Sequence, residues 1–144
     1  MRVFDVMSKA VETVKPNVSA SEAKTRMRHK KIHHLVVTSG AQLTGVLSAG
    51  DLGGTKLPKV LGTSTVADLM TSPVVTVTTR TPLRRAASLM KGRSVGSLVV
   101  TSANGKLAGI VTVSDLLALL ARAPDHRSNR DLRRARDEQD WNEE

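Results

Sequence analysis

The sequence predicts an α/β protein of the α+β kind, made of two β-α-β-β-α units. Three observations predict it. The stretch Gly45-Val46-Leu47-Ser48-Ala49-Gly50-Asp51-Leu52 returns as Gly109-Ile110-Val111-Thr112-Val113-Ser114-Asp115-Leu116. The chain around it repeats as well. At an offset of 63, Val3-Phe4-Asp5-Val6-Met7 falls on Val66-Ala67-Asp68-Leu69-Met70, and Leu35-Val36-Val37-Thr38-Ser39 falls on an identical run at Leu98 to Ser102. One extra residue near Asn104-Gly105 moves the offset to 64, which sets Leu43, Gly45, Asp51 and Leu52 on Leu107, Gly109, Asp115 and Leu116. Third, the apolar spacing switches between strand-like and helical in the same order in both copies. The units span residues 1–52 and 65–121, with 53–64 as a linker and 122–144 as a charged tail, helical or disordered.

Each unit opens on a short strand, Thr13-Val14 in the first and Val74 to Val77 in the second. A helix follows. Ser19 and Glu22 make a capping box for the first, and Thr81-Pro82 sets an N-cap before a proline at the first helical position of the second. Ala20, Ala23 and Met27 recur at helical spacing, as do Leu83, Ala86 and Met90, so each helix has one apolar face. Basic stretches, Arg28 to Lys31 and Lys91-Gly92-Arg93, end the helices. A hairpin comes next: Leu35–Thr38 with Leu43–Leu47, then Leu98–Thr101 with Leu107–Val111, the second turning at Asn104-Gly105. The closing helices differ. Leu116 to Ala121 is apolar on nearly every side and is expected to be buried, against a second subunit if not within the chain. After Asp51, Gly53-Gly54 and Pro58 predict a short or broken helix.

Composition narrows the function classes. The chain has 144 residues, no cysteine, one Phe, one Trp and no Tyr. Disulfides, thiolate metal sites and cysteine nucleophiles are excluded, and an aromatic platform for single-stranded nucleic acid is unavailable. No apolar run is long enough to span a membrane, and the N-terminus lacks the pattern of a secretory signal; a cytoplasmic location is the expectation. The net charge is +9. Residues 1–121 carry sixteen Lys and Arg against six acids, and residues 122–144 six Arg against seven acids, so the basic excess lies in the folded part. Such an excess attracts polyanions or phosphorylated ligands, or simply keeps the protein soluble.

The repeated motif carries the chemistry. Its apolar pair suits the end of a buried strand, and Ser48-x-x-Asp51 or Thr112-x-x-Asp115 suits a helix start. Backbone N–H groups, the helix dipole and a hydroxyl there favour an anion. An aspartate in the same turn accepts hydrogen bonds from a pair of sugar hydroxyls. Phosphate donors beside a diol acceptor describe a nucleotide pocket. The same residues also serve as plain helix caps, and the two roles are compatible.

Two units of this order, each closing on glycine, apolar pair, Ser/Thr, two spacers and Asp, resemble a tandem pair of cystathionine-β-synthase (CBS) domains, the Bateman module. The Asp5-Val6-Met7 and Asp68-Leu69-Met70 openings fit it too. The resemblance covers about residues 1–121. It implies two units packed by their sheets about a pseudo-twofold axis, with two equivalent clefts that bind adenosine-containing ligands such as AMP, ADP, ATP or S-adenosylmethionine. It also implies pairing into a homodimer. Carried over by position, Ser48 and Asp51 work with Val75, Val95, Gly96 and Ser97; Thr112 and Asp115 work with Ile32, His33 and His34. In this scheme the aspartates hold ribose hydroxyls, Ser48 or Thr112 a phosphate, and Val75, Val95 and Ile32 flank the base. Glu12 departs from the pattern, standing where the second copy has Val75, so the clefts are expected to differ. The Asp115 turn, which starts the longer apolar helix, is expected to be the firmer of the two.

His33 and His34 alternate on a strand and point to opposite faces, so they do not chelate one metal. Contact with phosphate, or ordinary exposure, remains open for them. Arg28, Lys30, Lys31, Arg80, Arg84, Arg85 and Arg93 recur near the same turns of both repeats and either flank the phosphate end of the clefts or form a solvated face. No catalytic constellation surrounds Ser48 or Thr112. The expected function is therefore a non-enzymatic regulatory module whose ligand biases an arrangement read by an effector protein. The alternative is a basic scaffold or dimerisation module for nucleic acid or an acidic protein, with vestigial clefts and weak nucleic-acid binding at most.

Overall fold

A computed structural model describes residues 1–53 and 63–122; the linker beyond Gly53 and the tail beyond Arg122 lie outside the described residues. Two three-stranded sheets are present. The first holds β1 (Thr13–Val14), β2 (His34–Ser39) and β3 (Gln42–Ser48); the second holds β4 (Thr76–Thr78), β5 (Ser97–Thr101) and β6 (Leu107–Thr112). In each, the first two strands are parallel and the hairpin is antiparallel. The crossovers between the parallel strands are α1 (Ala20–Lys30) and α4 (Leu83–Arg93). Short helices α2 (Ala49–Gly53) and α3 (Val66–Leu69) and the ten-residue α5 (Val113–Arg122) complete the set.

The expected order of elements stands, with local corrections. The fourth strand starts at Thr76 rather than Val74. Ser19 caps α1 by accepting the Glu22 N–H at 3.1 Å, while the Glu22 carboxylate pairs with Arg26 at 2.9 Å. Thr81 does not cap α4: its hydroxyl accepts the Thr78 N–H at 3.0 Å, and Pro82 itself is the N-cap. The second hairpin turns through three residues rather than at a two-residue Asn-Gly turn. The Gly105 N–H donates to the Ser102 carbonyl, and only Gly105 (φ 79°) takes the left-handed conformation. That is a type I turn closed by a glycine bulge, where the extra residue of the second repeat is spent.

Three apolar clusters hold the layers. One lies between the first sheet and α1, α2 and α3, with Met27, Leu35, Leu47 and Leu52 at its centre. Its counterpart joins the second sheet to α4, around Met90, Leu98 and Val111. The third is the contact between the sheets, Val36 and Val46 against Val99 and Ile110. Alternation along the strands explains the division: Leu35 and Val37 face the helices, and Val36 faces the other sheet.

The repeats are interlaced. Val3 and Met7, from the start of the chain, are buried in the second repeat's core, and Val66 lies in the first repeat's core with Leu69 and Met70 against it. Backbone bonds fix the exchange. The Val3 N–H donates to the Thr81 carbonyl and the Val66 N–H to the Val18 carbonyl. Ser8 and Ile110 exchange a pair of backbone bonds, and so do Thr71 and Val46. This crossing explains the glycine that opens the repeated motif. A Cβ on Gly109 would stand 2.4 Å from the Ser8 carbonyl oxygen, and one on Gly45 would stand 2.6 Å from the Met70 sulfur and 2.9 Å from the Thr71 oxygen.

Helix α5 is not covered by the described part of its own chain, which leaves burial against a second subunit as the expectation. None of its residues is buried, and Leu117 and Leu120 are 60% and 67% exposed. Leu116 alone packs against the second core.

Candidate functional site

Both motif copies fold as strand directly into helix. At the first, the Ser48 N–H donates to Asp51 Oδ2 at 2.8 Å, and the Asp51 N–H donates to Ser48 Oγ at 3.1 Å. At the second, the Thr112 and Asp115 bonds are 2.8 and 3.2 Å. Each pair is thus a reciprocal helix cap. Asp5 and Asp68 act in the same way, accepting the Arg2 and Thr65 N–H groups at 2.8 and 2.9 Å. The cap roles leave Oδ1 of each motif aspartate and the hydroxyl proton of Ser48 or Thr112 for other partners.

The first pair opens on a large cleft. Ser48 and Asp51 line a cavity of about 330 Å³ together with Val75, Val95, Gly96 and Ser97 of the second repeat. All six residues carried over for this cleft therefore meet in one place. Sequence reasoning missed Val46, Thr71, Pro73, Val74 and Ser94, which complete the wall with His34. Thr71 and Pro73 enter because the exchanged segment crosses the first hairpin at Val46.

The second set does not assemble in that way. Ile32 and His33 line a separate cavity of about 430 Å³ between α1 and α2. Asp115 borders a small one of about 140 Å³ with Asp5, Val6 and Leu119. His34 lines the Ser48–Asp51 cleft. It lies near both repeats' acids: burial first, then the neighbouring His33, lowers its pKa, while Asp115 and Asp51 raise it in part. Glu12, whose carboxylate was expected near the base, pairs with Lys30 at 3.2 Å.

Four of the seven basic residues line other cavities. Arg28 and Lys31 line the α1–α2 cavity, and Arg85 and Arg93 line another beside β4. Among the described residues, no Lys or Arg lines the Ser48–Asp51 cleft. Among the described residues there is no cluster of metal-ligating side chains and no helix long and apolar enough to cross a membrane.

The CBS domain family matches residues 3–52 and 66–122, both repeats. The chain belongs to that family. A CBS domain-containing protein of Dictyostelium discoideum is 32% identical over 130 residues, covering 82% of this chain and 90% of its own length. A homoserine O-acetyltransferase of Methanohalobium evestigatum is 29% identical over 119 residues, and this chain spans only 24% of its length. Among solved structures, the CBS domain pair of protein MJ0100 in complex with 5′-methylthioadenosine and S-adenosyl-L-methionine has a TM-score of 0.72 at 26% identity, covering 84% of this chain and 96% of that one. CBSX2 in complex with AMP has a TM-score of 0.66 at 31% identity, covering 84% and 96%. The mixed α+β architecture of the CBS pair is thus shared with these proteins.

Proposed function

We propose that this CBS pair is a regulatory module that binds an adenosine-containing ligand in the Ser48–Asp51 cleft and performs no chemistry on it. The observation that carries the reading is the meeting of Ser48 and Asp51 with Val75, Val95, Gly96 and Ser97 from the other repeat. Asp51 Oδ1 accepts the ribose hydroxyls, Val75 and Val95 flank the base, and the small Gly96 and Ser97 leave room for it. The complexes of MJ0100 with S-adenosylmethionine and of CBSX2 with AMP support the ligand class. A ligand shared between the repeats biases their arrangement, and an effector protein reads the shift.

The lining narrows the ligand further. Among the described residues it combines an acid and a histidine of lowered pKa with no Lys or Arg. A neutral or cationic adenosine compound, 5′-methylthioadenosine or S-adenosylmethionine, suits it better than a triphosphate, and AMP stands between. Titration calorimetry with these four ligands tests the order. A hundredfold excess over Kd should stabilise the fold by about 2.7 kcal/mol. ATP as the tightest ligand would overturn the order, and no binding by any would overturn the function.

A second copy of the chain is the proposed partner for α5, because Val113, Leu117 and Leu120 expose one apolar stripe. Sedimentation at micromolar concentration should give a dimer. The basic-scaffold alternative rests on the +9 charge and predicts nucleic-acid binding that falls steeply with salt.

A further inference from the structure

The largest of the cavities described above is not the Ser48–Asp51 cleft. It is the groove of about 430 Å³ between α1 and α2. Its floor is apolar: Met27 and Leu52 are buried, with Ile32 and Ala49 beside them. Its rim is cationic, with Lys24, Arg28 and Lys31. Among the described residues none of the three has an ion pair; the two pairs formed nearby use Arg26 and Lys30.

Gly53, the last described residue of α2, lines the groove, and the second repeat has Leu117 at that position. The cationic rim is also particular to this repeat. The second repeat has Ala87, Lys91 and Ser94 at the positions of Lys24, Arg28 and Lys31. An apolar floor inside a cationic rim fits an acidic segment that carries one large apolar side chain.

The chain has one such segment. Residues 137–144 hold Asp137, Glu138, Asp140, Glu143 and Glu144 with no Lys or Arg, and among them stands the chain's single tryptophan, Trp141. Trp141 is 19 residues beyond Arg122, the last described residue. A chain of that length spans about 28 Å as a helix and at most roughly 63–68 Å when extended. A folded unit of about 110 residues has a radius of gyration of only about 13 Å. The tail is therefore long enough to return to its own module.

We propose that the acidic C-terminal segment docks in the α1–α2 groove of its own chain, with Trp141 on the Met27–Leu52 floor and the acids against Lys24, Arg28 and Lys31. The groove and the Ser48–Asp51 cleft lie on opposite sides of one piece of structure. His33 lines the first and His34 the second, and the Ala49 N–H donates to the His33 carbonyl at 2.8 Å.

Because Trp141 is the only tryptophan, the fluorescence of the full chain reports its surroundings directly. In dilute buffer its emission should lie to the blue of the urea-unfolded chain and resist acrylamide quenching. The triple variant Lys24→Glu, Arg28→Glu, Lys31→Glu, in which Lys24 is half-buried and the other two are exposed, should fold normally by circular dichroism. It should lose the docked population about tenfold, the sum of three exposed charge pairs, with emission moving to that of the unfolded chain. Salt at 1 M should act in the same direction, since the screening length falls to about 3 Å. Lys106→Glu, on the far hairpin, should leave the emission unchanged. Native emission equal to that of the unfolded chain would overturn the proposal. So would a blue-shifted emission indifferent to the triple variant, which would place Trp141 elsewhere and leave the groove to the linker or an outside ligand. An emission that changes on dilution would assign the docked tail to a second copy and overturn docking within the chain.

Discussion

At Ser48 and at Thr112 the same reciprocal cap is made with nearly the same lengths, 2.8 and 3.1 Å in the first repeat and 2.8 and 3.2 Å in the second. The surroundings of the two caps differ. Across from Ser48 the second repeat supplies Val75, Ser94, Val95, Gly96 and Ser97. At the mirrored positions the first repeat has Glu12, Lys31, Ile32, His33 and His34, all larger. The cavity at Asp51 is about 330 Å³ and that at Asp115 about 140 Å³. Ligand pockets begin at roughly 300 Å³, and the cleft at Asp51 exceeds that. The hydroxyl–acid pair caps a helix in both repeats, whereas the lining of the two cavities differs.

The largest expected effect breaks the repeats' shared architecture. Gly109→Ala puts a methyl group 2.4 Å from a backbone oxygen that is itself bonded to Ile110, and it should cost about 3 kcal/mol. Gly45→Ala meets a movable methionine first and should cost about 2 kcal/mol. Urea denaturation measures both, and a neutral Gly109→Ala would show that the interlaced crossing is looser than it stands.

Next come the aspartates, which separate cap from ligand contact. Asp51→Ala and Asp115→Ala should each lose about 1 kcal/mol of stability as caps. Asp51→Ala should in addition weaken adenosine-ligand binding about tenfold to a hundredfold, the loss of a charged acceptor of roughly 1.5–3 kcal/mol. Asp115→Ala should leave affinity nearly unchanged. Asp115 starts the longer helix, but an open cleft counts for more than a firm helix start. Calorimetry giving the larger loss at Asp115 would mean that helix order, not cleft size, ranks the two sites.

A smaller effect follows from His34. Burial and His33 lower its pKa from 6.5, against the partial pull of Asp115 and Asp51. The unfolded chain therefore binds the proton first as pH falls through about 6.5, and the fold loses stability below that value. Above it the contribution of neutral His34 is intact. His34→Asn should lack this loss, so its stability relative to the wild type should improve between pH 7.5 and 5.5 in urea titrations. A difference that does not change with pH would mean that the imidazole is solvated in both states.

Much of the fold was legible in the sequence, because strands and helix faces announce themselves by period. Met27 and Met90, read as core from spacing alone, are each 4% exposed. The interlacing was not legible. A repeat shows that Val3 and Val66 are equivalent, and nothing in it says that each packs in the other's core. The glycine of the motif was visible, but its reason, the crossing of Ser8 and Thr71, depends on that exchange. The Ser48 cleft was legible through family resemblance. Of the residues carried over for the other, Ile32 and His33 line the α1–α2 cavity, His34 lines the Ser48–Asp51 cleft and Asp115 borders a smaller one, a separation that position alone does not show. Leu117 and Leu120 were expected to be buried because their run is apolar all round, yet no element of the described chain covers them.

The smallest expected effect sharpens the comparison at the two helix ends. Lys31 and Ser94 are equivalent residues, and both close their helices in the left-handed conformation, with φ 55° and 53°. In both, the next residue's N–H reaches back to a methionine carbonyl at 3.0 Å, Ile32 to Met27 and Val95 to Met90. That ending is the one glycine favours, because a Cβ there crowds the following carbonyl at about 1–2 kcal/mol. Lys31→Gly and Ser94→Gly should each relieve the crowding and give back part of it in added unfolded-state entropy. A net gain of about 0.5 kcal/mol apiece is expected, read as a small rise in urea midpoint. The two variants should then part company. Ser94 lines the Ser48–Asp51 cleft, and Lys31 lines the α1–α2 groove. Ser94→Gly should change ligand affinity without touching the Trp141 emission, and Lys31→Gly should move the emission without touching affinity. Equal stability gains with exchanged readouts would mean that the two cavities have been assigned to the wrong partners.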